Sequence, residues 1–361
     1  MTTHDFPSDY FTARDRFRDL AQRAGWTLHQ HTIAALGPQG EPLTIDTAIH
    51  APPSAQRTVM VSSALHGVEG FLGSTLQCAV LEQSITSSLP SDVRIVLVHA
   101  LNPYGYAHLR RWNEEGVDLN RNFLRDDERY QGSPQAYPQF NGLLNQPSPP
   151  SPWEPFRLRA MWAIARFGLR QLKQSIATGQ YDFPQGLFFG GHGPCETTRY
   201  VREQLANWSG TSRDVLHLDI HTGLGKPGEL QLLLDGPITT ERRRLIEQRL
   251  AESIVVADAE ESVAYACRGS IGGDLTARLP DHDYTYLCAE FGTHDPVTVL
   301  KALRAENRAY HWGQPAAATT RWAKDLLVEA FCPRSDQWRS QVLARGLRVI
   351  RAAVQDAATA K

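Results

Sequence analysis

A histidine and a glutamate, His66 and Glu69, close an apolar run in the stretch VMVSSALHGVEGF at residues 59–71. A zinc ion accepts nitrogen and oxygen ligands at about 2.0 to 2.2 Å, and an imidazole and a carboxylate in one compact loop can both reach it. A catalytic zinc needs three protein ligands, so the pair has meaning only with a third. His221 supplies a candidate. It ends the alternating strand pattern VLHLDIH and is followed by Thr222-Gly223-Leu224-Gly225, the same strand-end and glycine-turn context as His66. His217, earlier on that pattern, and His192, in the turn FPQGLFFGGHG, read as structural. Asp219 shares the face of His221 and could accept the second imidazole N–H or brace an arginine.

Two further groups could do chemistry. Glu290 sits in the apolar run YTYLCAEF just before Gly292, where a lone carboxylate is either a partly desolvated base or an ion-paired structural residue. The segment RRWNEEGVDLNRNF holds Arg110, Arg111, Asn113, Asn120 and Arg121 in one irregular stretch. That density suits either a solvated loop or a cradle for an anion and a carbonyl, because the arginine fork grips a carboxylate bidentately.

These groups need strands to present them. Residues 59–61, extended to 65, and residues 92–100, DVRIVLVHA, read as buried strands of the kind covered on both faces. Further strands are expected at 215–221, 230–234, 253–257 and 285–291, and a hairpin at 26–51 around GPQGEP. Helical spacing appears at 9–25, 68–83, 156–178, 198–208, 240–251, 296–310, 316–331 and 336–358. Strand and helix patterns alternate, which predicts one α/β domain over 1–361 with a mixed, twisted sheet and helices on both faces. Residues 124–155, rich in Pro, Gln, Asn and Ser, read as a long surface insertion near the mouth of the site, and residues 316–361 as a C-terminal helical extension. In open α/β sheets ligands bind at the carboxyl ends of strands, where His66, His221 and Glu290 all fall.

Composition narrows the partners. With 361 residues, 42% hydrophobic and 21% charged, the chain can bury a large core. A net charge of -2 gives no general attraction to nucleic acid, and no apolar run approaches the roughly 20 residues that span a bilayer. The amino terminus lacks the basic start and apolar core of a signal peptide, which places the protein in the cytoplasm. Five scattered cysteines, an odd number without a Cys-x-x-Cys pair, suit free thiols in a reducing compartment.

Taken in order, HGVEG, LNPYGY, RRWNEEGVDLNRNF, DIHTG and AEFGT resemble the zinc carboxypeptidase family, over most of the chain from Val59 to Thr293. The GLFFGG segment and the absence of a leader pattern point to a bacterial branch rather than to the secreted digestive enzymes. The resemblance implies a phosphorylase/hydrolase-like α/β sandwich and one zinc ion per chain, held by His66, Glu69 and His221. It makes Glu290 the general base and acid, and Arg111, with Arg110 adjacent as the alternative, the group that polarises the scissile carbonyl. Asn120 and Arg121 match the pair that binds the substrate's terminal carboxylate. The family's tyrosine near that carboxylate would fall at Tyr265, ahead of Gly269-Ser270-Ile271, with a spacing that departs from the family.

The implied activity is hydrolysis of an amide or peptide bond next to a free carboxylate, by a zinc-activated water with a glutamate base. Its substrate would be a small peptide. The same scaffold serves an amidohydrolase that removes the acyl group of an N-acyl amino acid, and room on either side of the amide separates the two. A binding protein without catalysis is the alternative of another class, against which the retention of Glu290 argues.

Overall fold

The computed structural model describes residues 6–168, 172, 176, 178–256 and 267–355. Its frame is a mixed sheet of eight strands in the order β1-β2-β4-β3-β5-β8-β6-β7. The strands are β1 (Thr27–Leu36), β2 (Pro42–His50), β3 (Arg57–Ser63), β4 (Val93–His99), β5 (Asp214–Gly223), β6 (Leu230–Leu234), β7 (Ile254–Val256) and β8 (Asp283–Gly292). The hairpin β1–β2 is antiparallel and joins the sheet through β4, whereas β4, β3, β5 and β8 run parallel. Val59, Met60 and Val61 of β3 are wholly buried, as a central parallel strand requires. Each contributes roughly 1.5 to 3 kcal/mol by leaving water.

Helices cover both faces, as the alternating pattern predicts. On one lie α1 (Tyr10–Arg23), α2 (Gly70–Thr86) and, last in the chain, α11 (Asp336–Val354). The Gln77 amide of α2 donates to the carbonyls of Val61 and Val98, and Ser63 Oγ donates to Gln77 Oε1. Between these come α3 (Pro103–Ala107), α4 (Tyr137–Leu144), α5 (Phe156–Phe167), α6 (Glu196–Ser209), α7 (Thr240–Leu250), α8 (Ile271–Arg278), α9 (Pro296–Trp312) and α10 (Ala318–Phe331). The opposite face carries α6, whose Ser209 carbonyl accepts from Thr58, and α8, whose Gly272 lies against the Tyr286 ring.

Residues 124–155 differ from the expected loop, because they contain α4 and are tied down. Tyr137, Phe140 and Leu144 are buried at helical spacing, a stripe that the polar composition around them hides. Tyr137 Oη donates to the Leu187 carbonyl, and Glu154 pairs with Arg304 at 2.7 Å and with Arg308. The α4 stripe joins Val68, Trp112, Ala163 of α5, Val299 and Leu303 of α9, and Phe331 of α10 in a second hydrophobic cluster beside the one around the sheet. The helix expected at 156–178 ends at Phe167, where Gly168 takes a φ of +80° that breaks it. Two short helices, α3 and α8, lie in segments without a helical stripe long enough to be read. Tyr265 lies outside the described residues. No described helix is long and apolar enough to cross a membrane, and the five cysteines are unbridged.

Candidate metal centre

The carboxyl ends of β3, β5 and β8 meet at one point, since these strands are parallel neighbours in which His221 and Glu290 are register partners. The chain leaves β3 through Ala64 at φ +56° and β4 through Ala100 at φ +62°. Such left-handed turns cost about 1 kcal/mol or more outside glycine and persist where the surroundings impose them. Here they are stitched together, because Leu101 N–H donates to Ser63 O and Asn102 N–H to Ala64 O, at 3.0 and 2.9 Å. His66 and Glu69 follow at the two ends of the single helical turn Gly67–Glu69, and Val68 anchors that turn in the second cluster.

The glycines of HGVEG serve close approach rather than a left-handed turn. A Cβ on Gly67 would stand 2.1 Å from the Gly105 carbonyl carbon, and one on Gly70 would stand 2.6 Å from the Tyr106 ring. The Gly67 and Val68 N–H groups donate to the carbonyls of Arg111 and Arg110, so the LNPYGY and RRW segments press directly on the loop.

His66 Nδ1 lies 2.9 Å from Glu69 Oε1 and 3.2 Å from His221 Nδ1, which is itself 3.1 Å from Glu69 Oε2. All three side chains are buried. Tetrahedral ligands at about 2.0 to 2.1 Å from a zinc ion stand roughly 3.4 Å apart, so these nitrogen and oxygen atoms fit three corners of such a site. The second imidazole nitrogens are also held. His221 Nε2 is 2.6 Å from Asp219 Oδ2, and His66 Nε2 is 3.2 Å from Asp118 Oδ1. An Nε2–H given to Asp219 leaves the His221 Nδ1 lone pair for a cation. Asp219 further accepts from Ser62 Oγ at 2.5 Å and Tyr286 Oη at 2.7 Å.

The electrostatics favour positive charge at the same point. Burial alone would raise the Glu69 carboxyl, yet the His66 and His221 imidazoles hold it well below the ordinary range. Asp219, likewise buried, is held at about 2 beside His221. Burial would lower His221, but Asp219 and Glu69 keep it well above its ordinary value. Glu290 behaves differently: burial, then the charge of Glu69, push it up to about 7, while the Leu224 N–H donates to its Oε1 at 2.8 Å. A carboxyl poised near neutrality can both take up and return a proton.

The two candidate arginines part company. Arg111 Nη2 is 2.8 Å from His66 Nε2, and its Nη1 donates to Glu69 Oε1 at 3.2 Å, while its Nε donates to Asp118. Arg110 turns away to Glu306 at 2.8 Å, with its guanidinium 3.3 Å from the centre of the Tyr310 ring. Asn120 and Arg121 lie on the turn Leu119–Arg121 and line the same cavity as the three metal-type side chains. Asn120 Oδ1 accepts the Ile271 N–H, and Arg121, buried, stands 5.8 Å from the centre of the Phe188 ring.

The histidines read as structural sit elsewhere. His192 is exposed against Phe189, and His217 is buried between Ser62 Oγ and Tyr284 Oη, with burial lowering it to about 4.

Sequence reading missed several supporting groups. Asp118 stood unassigned inside GVDLNRNF. Tyr286 is placed by strand period on the face of Cys288 and Glu290, a signal that was available. Asp235, which also lines the cavity, belongs to no quoted motif, and Phe188, another lining residue, lies in GLFFGG, where no role was assigned to it.

A family model described as "Protein of unknown function (DUF2817)" matches residues 6–345. The chain belongs to that family. No curated protein matches it. Among solved structures, the thrombin activatable fibrinolysis inhibitor is similar at 10% identity and TM-score 0.49, over 95% of this chain and 74% of that one. The murein-tripeptide amidase MpaA of Escherichia coli O157 is similar at 17% identity and TM-score 0.39, over 84% and 95%. A metallo-carboxypeptidase of Pseudomonas aeruginosa in complex with (2-guanidinoethylmercapto)succinic acid is similar at 16% identity and TM-score 0.39, over 95% and 70%. At such values the likeness says nothing of chemistry, which rests on the side chains of this chain.

Proposed function

We propose that the chain is a zinc-dependent hydrolase, one zinc-peptidase-like domain working in the cytoplasm, that cleaves an amide or peptide bond next to a free carboxylate. The observation that carries the reading is the convergence of His66 Nδ1, Glu69 and His221 Nδ1 beside a carboxyl, Glu290, poised near neutrality. A zinc ion held by those three side chains would supply a Lewis acid and lower the pKa of a water to about 7. Glu290 takes the proton of the attacking water and returns it to the leaving amine. Arg111, beside Glu69 and His66, stabilises negative charge developing on the scissile oxygen. Arg121 and Asn120 grip the substrate carboxylate, with the arginine already desolvated. Asp219 and Asp118 orient the two imidazoles.

Glu290→Gln tests the mechanism, because glutamine keeps the shape but accepts no proton. Zinc content should be unchanged while turnover falls by about 10² to 10⁴-fold or more, the range of general acid–base catalysis. Near wild-type turnover of every substrate that the wild type cleaves would refute the proposed base.

A further inference from the structure

The cavity that receives the metal-type side chains has a volume of about 490 Å³ and two chemically different ends. One holds His66, Glu69, His221, Glu290, Arg111 and Arg121. The other is walled by Leu143 of α4, Ala163 and Ile164 of α5, and Val299, Leu300 and Leu303 of α9. Phe188 joins them. Its ring lies 5.6 Å from the Arg111 guanidinium and 5.8 Å from that of Arg121, and it packs in the cluster that contains Ala163, Val299 and Leu303. The aliphatic end is thus built from the helices that follow the RRWNEEGVDLNRNF segment and from the helix after Glu290.

The kind of wall decides what can lie along it. A peptide arm carries an N–H and a C=O at every residue, and each loses free energy if buried without a partner. Helices offer no such partners, because the backbone groups inside α4, α5 and α9 are bonded within each helix. The side chains they add to the cavity here are aliphatic. A methylene chain needs no partner and gains by burial against just such a wall.

We infer that the substrate is an N-acyl amino acid with a medium to long aliphatic acyl chain, its carboxylate at Arg121 and its chain along α4, α5 and α9. This assignment rests on the proposed hydrolase reading, whose acyl-removing form it selects over the peptidase form. The bond broken is the amide C–N; water supplies hydroxide to the acyl carbon and a proton to the amine, giving a fatty acid and a free amino acid.

Binding and turnover separate the two claims. Dissociation constants of N-acylglycines from acetyl to dodecanoyl are measured by calorimetry on the zinc-loaded Glu290→Gln protein, and turnover on the wild type. Affinity should rise about fourfold per added methylene until the aliphatic end is full. Ile164→Trp and Leu300→Trp, both at half-buried positions on the wall, should each move the plateau to shorter chains while leaving acetylglycine affinity within about twofold. Affinity flat with chain length, or a plateau unmoved in both folded variants, would overturn the inference whatever the turnover. Chain-length-dependent binding without wild-type turnover would overturn the hydrolase reading and leave the binding assignment standing.

Discussion

At the residue scale, the centre depends on how each ligand is held as much as on which residues ligate. Asp219 accepts three donors: the His221 ring, Ser62 and Tyr286. Asparagine at that position would keep the volume but remove the charge and offer an N–H where an acceptor is needed. Asp219→Asn should therefore weaken zinc affinity by about 10 to 100-fold, the range for groups that orient a metal-bound imidazole. Competition with a chromophoric chelator measures it, and affinity within twofold of wild type would show that the aspartate merely fills space. Asp219 was legible because it lies two residues before His221 on a strand. Asp118 was not, because His66 lies 52 residues before it, and Arg111, although in the same segment, meets it only through the irregular folded loop.

At the element scale, the ligand loop is held by backbone packing that pattern reading describes poorly. Gly67 and Gly70 read as turn residues, yet what they provide is room for the LNPYGY helix, α3, to press on the turn Gly67–Glu69. The added methyl of Gly67→Ala would meet backbone, which cannot swing aside as a side chain can. The substitution should cost about 1 to 3 kcal/mol of stability, the range for overpacking a tight core, and lower zinc affinity as well. Gly142→Ala is the control: its Cβ would meet nothing within 4 Å inside α4, so helix propensity should make it neutral or stabilising by up to about 1 kcal/mol. Urea midpoints compare the two; equal midpoints would refute the close-packing account. The same limit explains residues 124–155, where Pro, Gln and Asn masked the Tyr137, Phe140 and Leu144 stripe.

At the scale of the whole molecule, the sheet with helices on both faces was legible because β3 and β4 are near-continuous apolar runs, a pattern produced by burial on both sides, and β5 alternates apolar and polar residues as a strand does. The cavity was not legible, since it is made where α4, α5, α9 and α10 meet, and no local pattern encodes which helices become neighbours. Its existence nevertheless follows from the topology. Parallel strands bring His66, His221 and Glu290 to one sheet edge, and the second cluster closes over that edge. The central claim is that this edge holds zinc through His66, Glu69 and His221. Elemental analysis of purified wild-type and His221→Ala protein, with folding checked by circular dichroism, tests it most directly. The account predicts about one zinc per wild-type chain, in line with a three-residue site of this type, and a large loss of zinc in the folded variant. Full zinc occupancy in folded His221→Ala would contradict it.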